Sequence, residues 1–150
     1  MYNLTVRAYD LGTPSLWSNV DCVVYVTDEN DNAPTFEKPY YKVNIPEDTP
    51  GGTPVIRVRA ADKDGSSPNN DVVYRIQTGA RDKFVIDAET GMISVSLGAD
   101  LDPDLTIPKT TSYFLTVSAL DGGIGADKLT TRVPVNISIT DVNNKLPRWI

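Results

Sequence analysis

Asp28-Glu29-Asn30-Asp31-Asn32 places three carboxylates and two amides side by side, and Ala33-Pro34 follows. Nearly every side chain in the run needs water or a cation, so the run cannot form a packed strand. Oxygen atoms at this density suit a hard divalent ion, since calcium takes about 6–8 oxygen ligands. An altered copy, Asp141-Val142-Asn143-Asn144-Lys145, lies near the other end of the chain. Residues 8–37 hold six acids and no lysine or arginine, so without a counter-ion this segment repels itself.

Composition narrows the chemistry. Net charge is −6 and the pI about 4.5, which argues against nucleic acid and anionic membrane surfaces as partners. Apolar residues make up 40 %, enough for a core. There is no histidine, so the commonest general base and the commonest zinc or copper ligand are missing. A single cysteine, Cys22, excludes an internal disulfide. Its place in an alternating strand predicts a small core residue. No run of about 18 apolar residues is present to span a membrane. Tyr2 to Asp10 reads as a strand rather than a signal peptide. The chain opens in mid-strand, which suggests a piece of something longer. Two sequons, Asn3-Leu4-Thr5 and Asn136-Ile137-Ser138, make Asn3 and Asn136 candidate glycan sites in a secreted protein.

The elements that must position the acidic run are strands, and they occur in duplicate. Tyr2-Asn3-Leu4-Thr5-Val6-Arg7-Ala8-Tyr9-Asp10 matches Tyr113-Phe114-Leu115-Thr116-Val117-Ser118-Ala119-Leu120-Asp121. Val20, Cys22, Val24 and Val26 match Val133, Val135, Ile137 and Ile139, and Pro34-Thr35-Phe36 matches Pro147-Arg148-Trp149. The offset is 111 residues from Tyr2 to Tyr113 and 113 from Val20 to Val133, because the second copy has the longer loop. Such a period is the size of a domain. Two-residue alternation predicts strands near 41–45, 55–60, 72–76, 84–86, 92–96, 113–119 and 130–140. Pro50-Gly51-Gly52, Asp64-Gly65, Glu89-Thr90-Gly91 and Asp121-Gly122-Gly123 mark turns between them. Residues 97–109, with Pro103 and Pro108, read as a loop. Seven short strands predict an all-β, seven-stranded Greek-key sandwich of immunoglobulin-like type. The expected organisation is the last strands of a truncated repeat over 1–27 and a linker over 28–34. A complete repeat over 35–141 and the start of another linker over 142–150 follow.

In order along the chain stand Asp28-Glu29-Asn30-Asp31-Asn32, Ile45-Pro46-Glu47, Ala61-Asp62-Lys63-Asp64, and Phe84-x-Ile86-Asp87-x-x-Thr90-Gly91-x-Ile93. Leu101-Asp102-Pro103-Asp104 and Tyr113 through Ala119-Leu120-Asp121 complete the set. Together they resemble the extracellular repeat of the cadherin superfamily, in a non-classical or protocadherin-like long member. The resemblance implies calcium at the junctions between repeats. It implies a first junction built from Asn30, Asp31 and Asn32, with Glu29 and Asn32 acting through main-chain carbonyls. Asp62, Asp64 and Asp121 would come from the complete repeat, and a carbonyl of Asn69 or Asn70 would complete the shell. Asp62 and Asp64, two apart at a strand end, can bracket one cation, and Asp121 can arrive from the side. Metal binding and local ordering are linked, so such a joint stiffens when occupied.

The second junction departs from this pattern. Asn144 stands where a bridging aspartate is expected, Lys145 adds a positive charge, and Asp104 is one carbon shorter than the usual glutamate. Glu47, Asp102, Asp104 and Asn143 remain as weaker metal candidates. Lower ligand charge and reach weaken calcium binding, so this junction is expected to take fewer ions, or hold them weakly, and to bend more easily.

The resemblance further implies a calcium-dependent adhesion module in the extracellular part of a single-pass plasma-membrane protein, with other cadherin ectodomains as partners. No small-molecule substrate and no direct membrane contact are expected. A mechanical spacer without an adhesive face is the alternative. A metal-dependent hydrolase is a remote one, because no base or nucleophile stands near the carboxylates. Trp17, in an expected loop, and Trp149, the counterpart of Phe36, read as locally packed aromatics rather than adhesive anchors.

Overall fold

The computed structural model describes residues 1–146; Pro147, Arg148 and Trp149 of the second copy lie outside the described residues. Eleven strands occur among the described residues: β1 (Tyr2–Tyr9), β2 (Trp17–Val24), β3 (Thr35–Phe36), β4 (Tyr41–Pro46), β5 (Pro54–Arg57), β6 (Ala60–Ala61), β7 (Val73–Thr78), β8 (Phe84–Ile86), β9 (Met92–Val95), β10 (Ser112–Leu120) and β11 (Thr130–Thr140). One sheet runs β4-β11-β10-β7 and another β5-β9-β8, with a short β3-β6 pair beside them. β4 lies parallel to β11, with Val43 opposite Ile137, and the other pairs are antiparallel.

Alternation explains the sandwich. Along β10, Tyr113, Leu115, Val117 and Ala119 face inward, while Phe114 points out. Along β11, Val133, Val135, Ile137 and Ile139 do the same. Ile93 and Val95 of the facing sheet close the core, with Val58, Phe84 and Leu101. Phe84 meets Tyr113 edge to face at 5.2 Å between ring centroids, a favoured aromatic geometry. No helix among the described residues is long and apolar enough to cross a membrane.

Four expectations need correction or refinement. The strand expected over 55–60 is broken in two: Val58 donates to the Gly91 carbonyl, Arg59 accepts from Glu37, and the chain then passes from β9 to β3 as partner. Within the loop over 97–109, Pro103–Leu105 forms a single 3-10 turn, capped by the Asp102 carboxylate accepting from Asp104 N. Trp17 opens β2 rather than sitting in a loop, and the Arg7 guanidinium lies 4.2 Å over its ring. Cys22 is exposed rather than core. It lies opposite Leu4 in the β1-β2 ladder, every residue of which is exposed, because among the described residues no second sheet covers that pair. The remaining strands end within two residues of expectation.

Candidate metal centre

Asp62 and Asp64 lie just past β6, and Asp121 just past β10, so the sandwich delivers all three to the linker. Asp28 holds the linker against the loop after β6. Its carboxylate accepts from Gly65 N, Ser66 N, Ser66 Oγ and Asn69 Nδ2 at 3.0–3.1 Å. The Gly65 N–H foremost holds its carboxyl below the usual range. Thr131 Oγ1 donates to the Pro34 carbonyl from the start of β11. The linker is therefore pinned on both sides of residues 29–32.

Asn32 lies between two carboxylates. Its Nδ2 donates to Asp31 Oδ1 at 2.7 Å and to Asp64 Oδ1 at 2.5 Å. The Asp64 carboxylate, with desolvation second, raises Asp31 above its ordinary value. Asp64 is 7 % exposed, and its main-chain N–H donates to Asp62 Oδ1 at 2.9 Å. Asn30 Nδ2 donates to the Asp127 carbonyl at 2.6 Å. Asp121 is 1 % exposed and accepts from Gly123 N and Leu129 N. A side chain at Gly123 would fall 2.3 Å from Asn30 Nδ2 and 3.0 Å from Asp121 Oδ1, so Asn30 packs beside Asp121 only because residue 123 is glycine.

Among the described residues no three Asp, Glu, His or Cys side chains form a preformed metal cluster. Amide N–H groups occupy most of these carboxylate oxygens. Three buried side-chain oxygens among the described residues lack a partner: Asn30 Oδ1 and Asp62 Oδ2 here, and Asn136 Oδ1 on β11. Buried acceptors of this kind are costly unless satisfied. Together with the facing Asp31 and Asp64, this donor set fits a hard divalent cation.

Glu29 and Asn69 line one recess with Asn30 and Asp28, whereas Asn70 lines another with Asp62. Asn69 therefore borders the linker, and Asn70 reaches only the Asp62 side. The Glu29 carbonyl accepts from Asp31 N at 3.0 Å. The sequence reading missed three contributors: Asp28 as a clamp, the Asp127 carbonyl, and Gly123. Asp28 carried a signal as the first residue of the acidic run, and Gly123 as part of a turn. A main-chain carbonyl carries none.

At the opposite end, Glu47 is 5 % exposed and accepts from Val142 N at 3.4 Å. Lys145 Nζ lies 2.7 Å from both Asp102 Oδ2 and Asp104 Oδ2, and Lys109 pairs with the other Asp104 oxygen. Lys109, then Lys145, holds Asp104 down to about 2, and Asp102 and Asp104 push Lys145 upward. Asn143 is exposed. Of the sequon residues, Asn3 is exposed on β1, and Asn136 is half-buried in β11, opposite Phe114.

A family model described as the cadherin domain matches residues 41–140. Rat cadherin-23 is 35 % identical over 148 residues, 97 % of this chain and 4 % of its own length. Human protocadherin Fat 4 is 42 % identical over 147 residues, 97 % of this chain and 3 % of its own. The crystal structure of mouse cadherin-23 EC22-24 superposes with a TM-score of 0.83 at 35 % identity, over 95 % of this chain and 43 % of that one. The chain thus spans about 3–4 % of the length of these curated relatives.

Proposed function

This chain belongs to the cadherin family, and from that premise we propose that it is a calcium-dependent adhesion module of a cell-surface cadherin. In this reading residues 1–27 end one repeat, 28–34 form the linker, 35–141 form a complete repeat, and 142–150 start the next linker. Asn30, Asp31, Asp62, Asp64 and Asp121 contribute side chains at the first junction. Glu29, Asn32 and one of Asn69 or Asn70 contribute carbonyls. The observation that carries the reading is the pair of buried, partnerless oxygens, Asn30 Oδ1 and Asp62 Oδ2. When bound, calcium supplies the positive charge that satisfies them and offsets the repulsion between Asp31 and Asp64. The chain's own part is to hold the linker in place through Asp28 and Thr131.

The setting follows the family: the extracellular part of a single-pass membrane protein, other cadherin ectodomains as partners, and glycans on Asn3 and Asn136. Calorimetric calcium titration tests the ligand set. Asp62→Ala should weaken binding about tenfold or more, roughly 1.4 kcal/mol, and unchanged binding would refute it. Analytical ultracentrifugation in calcium then tests self-adhesion. A chain that stays monomeric at high concentration favours the spacer role.

A further inference from the structure

Glu47, Asp102 and Asp104 stand where the family reading places calcium ligands for the junction after β11, yet the chain's own donors reach all three. Val142 N–H points at Glu47 Oε1 at 3.4 Å. Lys145 Nζ bridges Asp102 and Asp104 at 2.7 Å each, and Lys109 takes the remaining Asp104 oxygen. Half-buried Asp102 and exposed Asp104 thus face two ammonium groups, so their charge is already balanced. A divalent cation entering here would meet Lys145 at close range and would have to displace it.

The two linkers use corresponding positions differently. Asn32 aligns with Lys145 and Asp31 with Asn144, both at the 113-residue offset. In the first linker the position carries a neutral amide that bridges Asp31 and Asp64. In the second it carries a full positive charge on a long stem, and the neighbouring carboxylate is gone. We infer that the junction at Asp141–Lys145 is closed by the chain's own ammonium group, Lys145 Nζ, in place of calcium. This revises the expectation of a joint that simply bends more easily: residues 142–145 are strapped to the repeat at Glu47, Asp102 and Asp104. The strap holds without calcium and weakens with salt, because its ion pairs are partly exposed. The inference rests on the reading that calcium holds the first junction.

NMR on the full chain separates the two. With calcium raised to about 1 mM, the range of extracellular modules, amides of residues 30–32, 62–64 and 121–123 should shift. Those of 102–104 and 142–145 should stay in place. In chelator, Lys145→Gln should lower the heteronuclear NOE of residues 142–145, while Lys145→Arg should preserve it. The double variant N144D/K145N should make residues 102–104 respond to calcium. A wild-type calcium response at 102–104 equal to that at 62–64 would overturn the inference. So would an unchanged NOE in Lys145→Gln. If no residue of the first junction responds, the calcium reading fails there, and the chelator experiment alone still decides whether Lys145 closes the second.

Discussion

Asn30 Nδ2 donates to the Asp127 carbonyl at 2.6 Å across a sequence separation of 97 residues. This contact turns the asparagine so that Oδ1 is buried with no partner. It fixes the linker to the β10–β11 connection and leaves one acceptor for a ligand. Gly123 provides the space, since a Cβ there would meet Asn30 Nδ2 at 2.3 Å and the Asp127 carbonyl at 2.8 Å. Gly123→Ala should therefore displace Asn30 and weaken calcium binding about tenfold, or roughly 1.4 kcal/mol, although residue 123 contributes no ligand. Calorimetry of wild type and variant at equal ionic strength checks this, and equal affinities would count against the geometry.

Asp31 offers a test of charge without metal. Its carboxyl is raised chiefly by Asp64, so near that pKa the folded chain binds more protons than the unfolded one. Stability in chelator should then rise as the pH falls through the raised Asp31 pKa, and Asp31 should contribute least where it is fully ionised. The depressed carboxyls, Asp10, Asp28, Asp87, Asp102 and Asp104, oppose this as the pH falls below about 5, where their unfolded counterparts begin to protonate, so the Asp31 contribution is read as the difference from Asp31→Asn. Asp31→Asn should flatten the rise in chelator yet weaken calcium binding. Thermal melts of wild type and Asp31→Asn across a pH series, with and without calcium, should show these opposite signs.

Much of this arrangement was legible in the residues, and the rest was hidden for physical reasons. Strict alternation located β8 and β11 to the residue, because their side chains divide cleanly between core and solvent. The break between β5 and β6 depends on Val58 pairing with Gly91, a tertiary contact that leaves no periodic mark. Cys22 sits on a correct strand pattern, but the pattern cannot say whether a second sheet covers it. Asp62, Asp64 and Asp121 were visible as carboxylates at strand ends. The donors occupying them are main-chain N–H groups, which every residue carries. Lys145 was visible as a misplaced charge, whereas its reach to both Asp102 and Asp104 needed the fold.

Two glycines separate conformational strain from steric clash. Gly91 has φ +70, and an added Cβ would lie 2.3 Å from the Val58 carbonyl; Gly98 has φ +75 with nothing within 4 Å. Gly98→Ala carries only the left-handed backbone cost, about 1 kcal/mol. Gly91→Ala must also push apart the Val58–Gly91 hydrogen bond, so its loss should be about 3 kcal/mol or more. Urea unfolding of both variants measures the difference, and equal losses would remove the clash from the explanation.

The β1-β2 ladder and the β10-β11 ladder share a sequence pattern but differ in cover, so their stabilities should diverge. Leu4, Val6 and Val20 are 50 %, 52 % and 64 % exposed, whereas Ile137 and Val117 are fully buried. An uncovered two-stranded hairpin is marginal in water, and amide protection tracks the local cost of opening. Hydrogen exchange should therefore be fast along Tyr2–Tyr9 and Trp17–Val24 and slow along Ser112–Leu120 and Thr130–Thr140. Leu4→Ala should change global stability by less than about 0.5 kcal/mol, while Ile137→Ala should cost about 2–5 kcal/mol. Cys22 should react with a thiol reagent in the folded chain. If hairpin amides prove as protected as those of β10 and β11, a second copy of the chain must cover that face. Protection would then fall on dilution, whereas concentration-independent protection would contradict the exposed ladder itself.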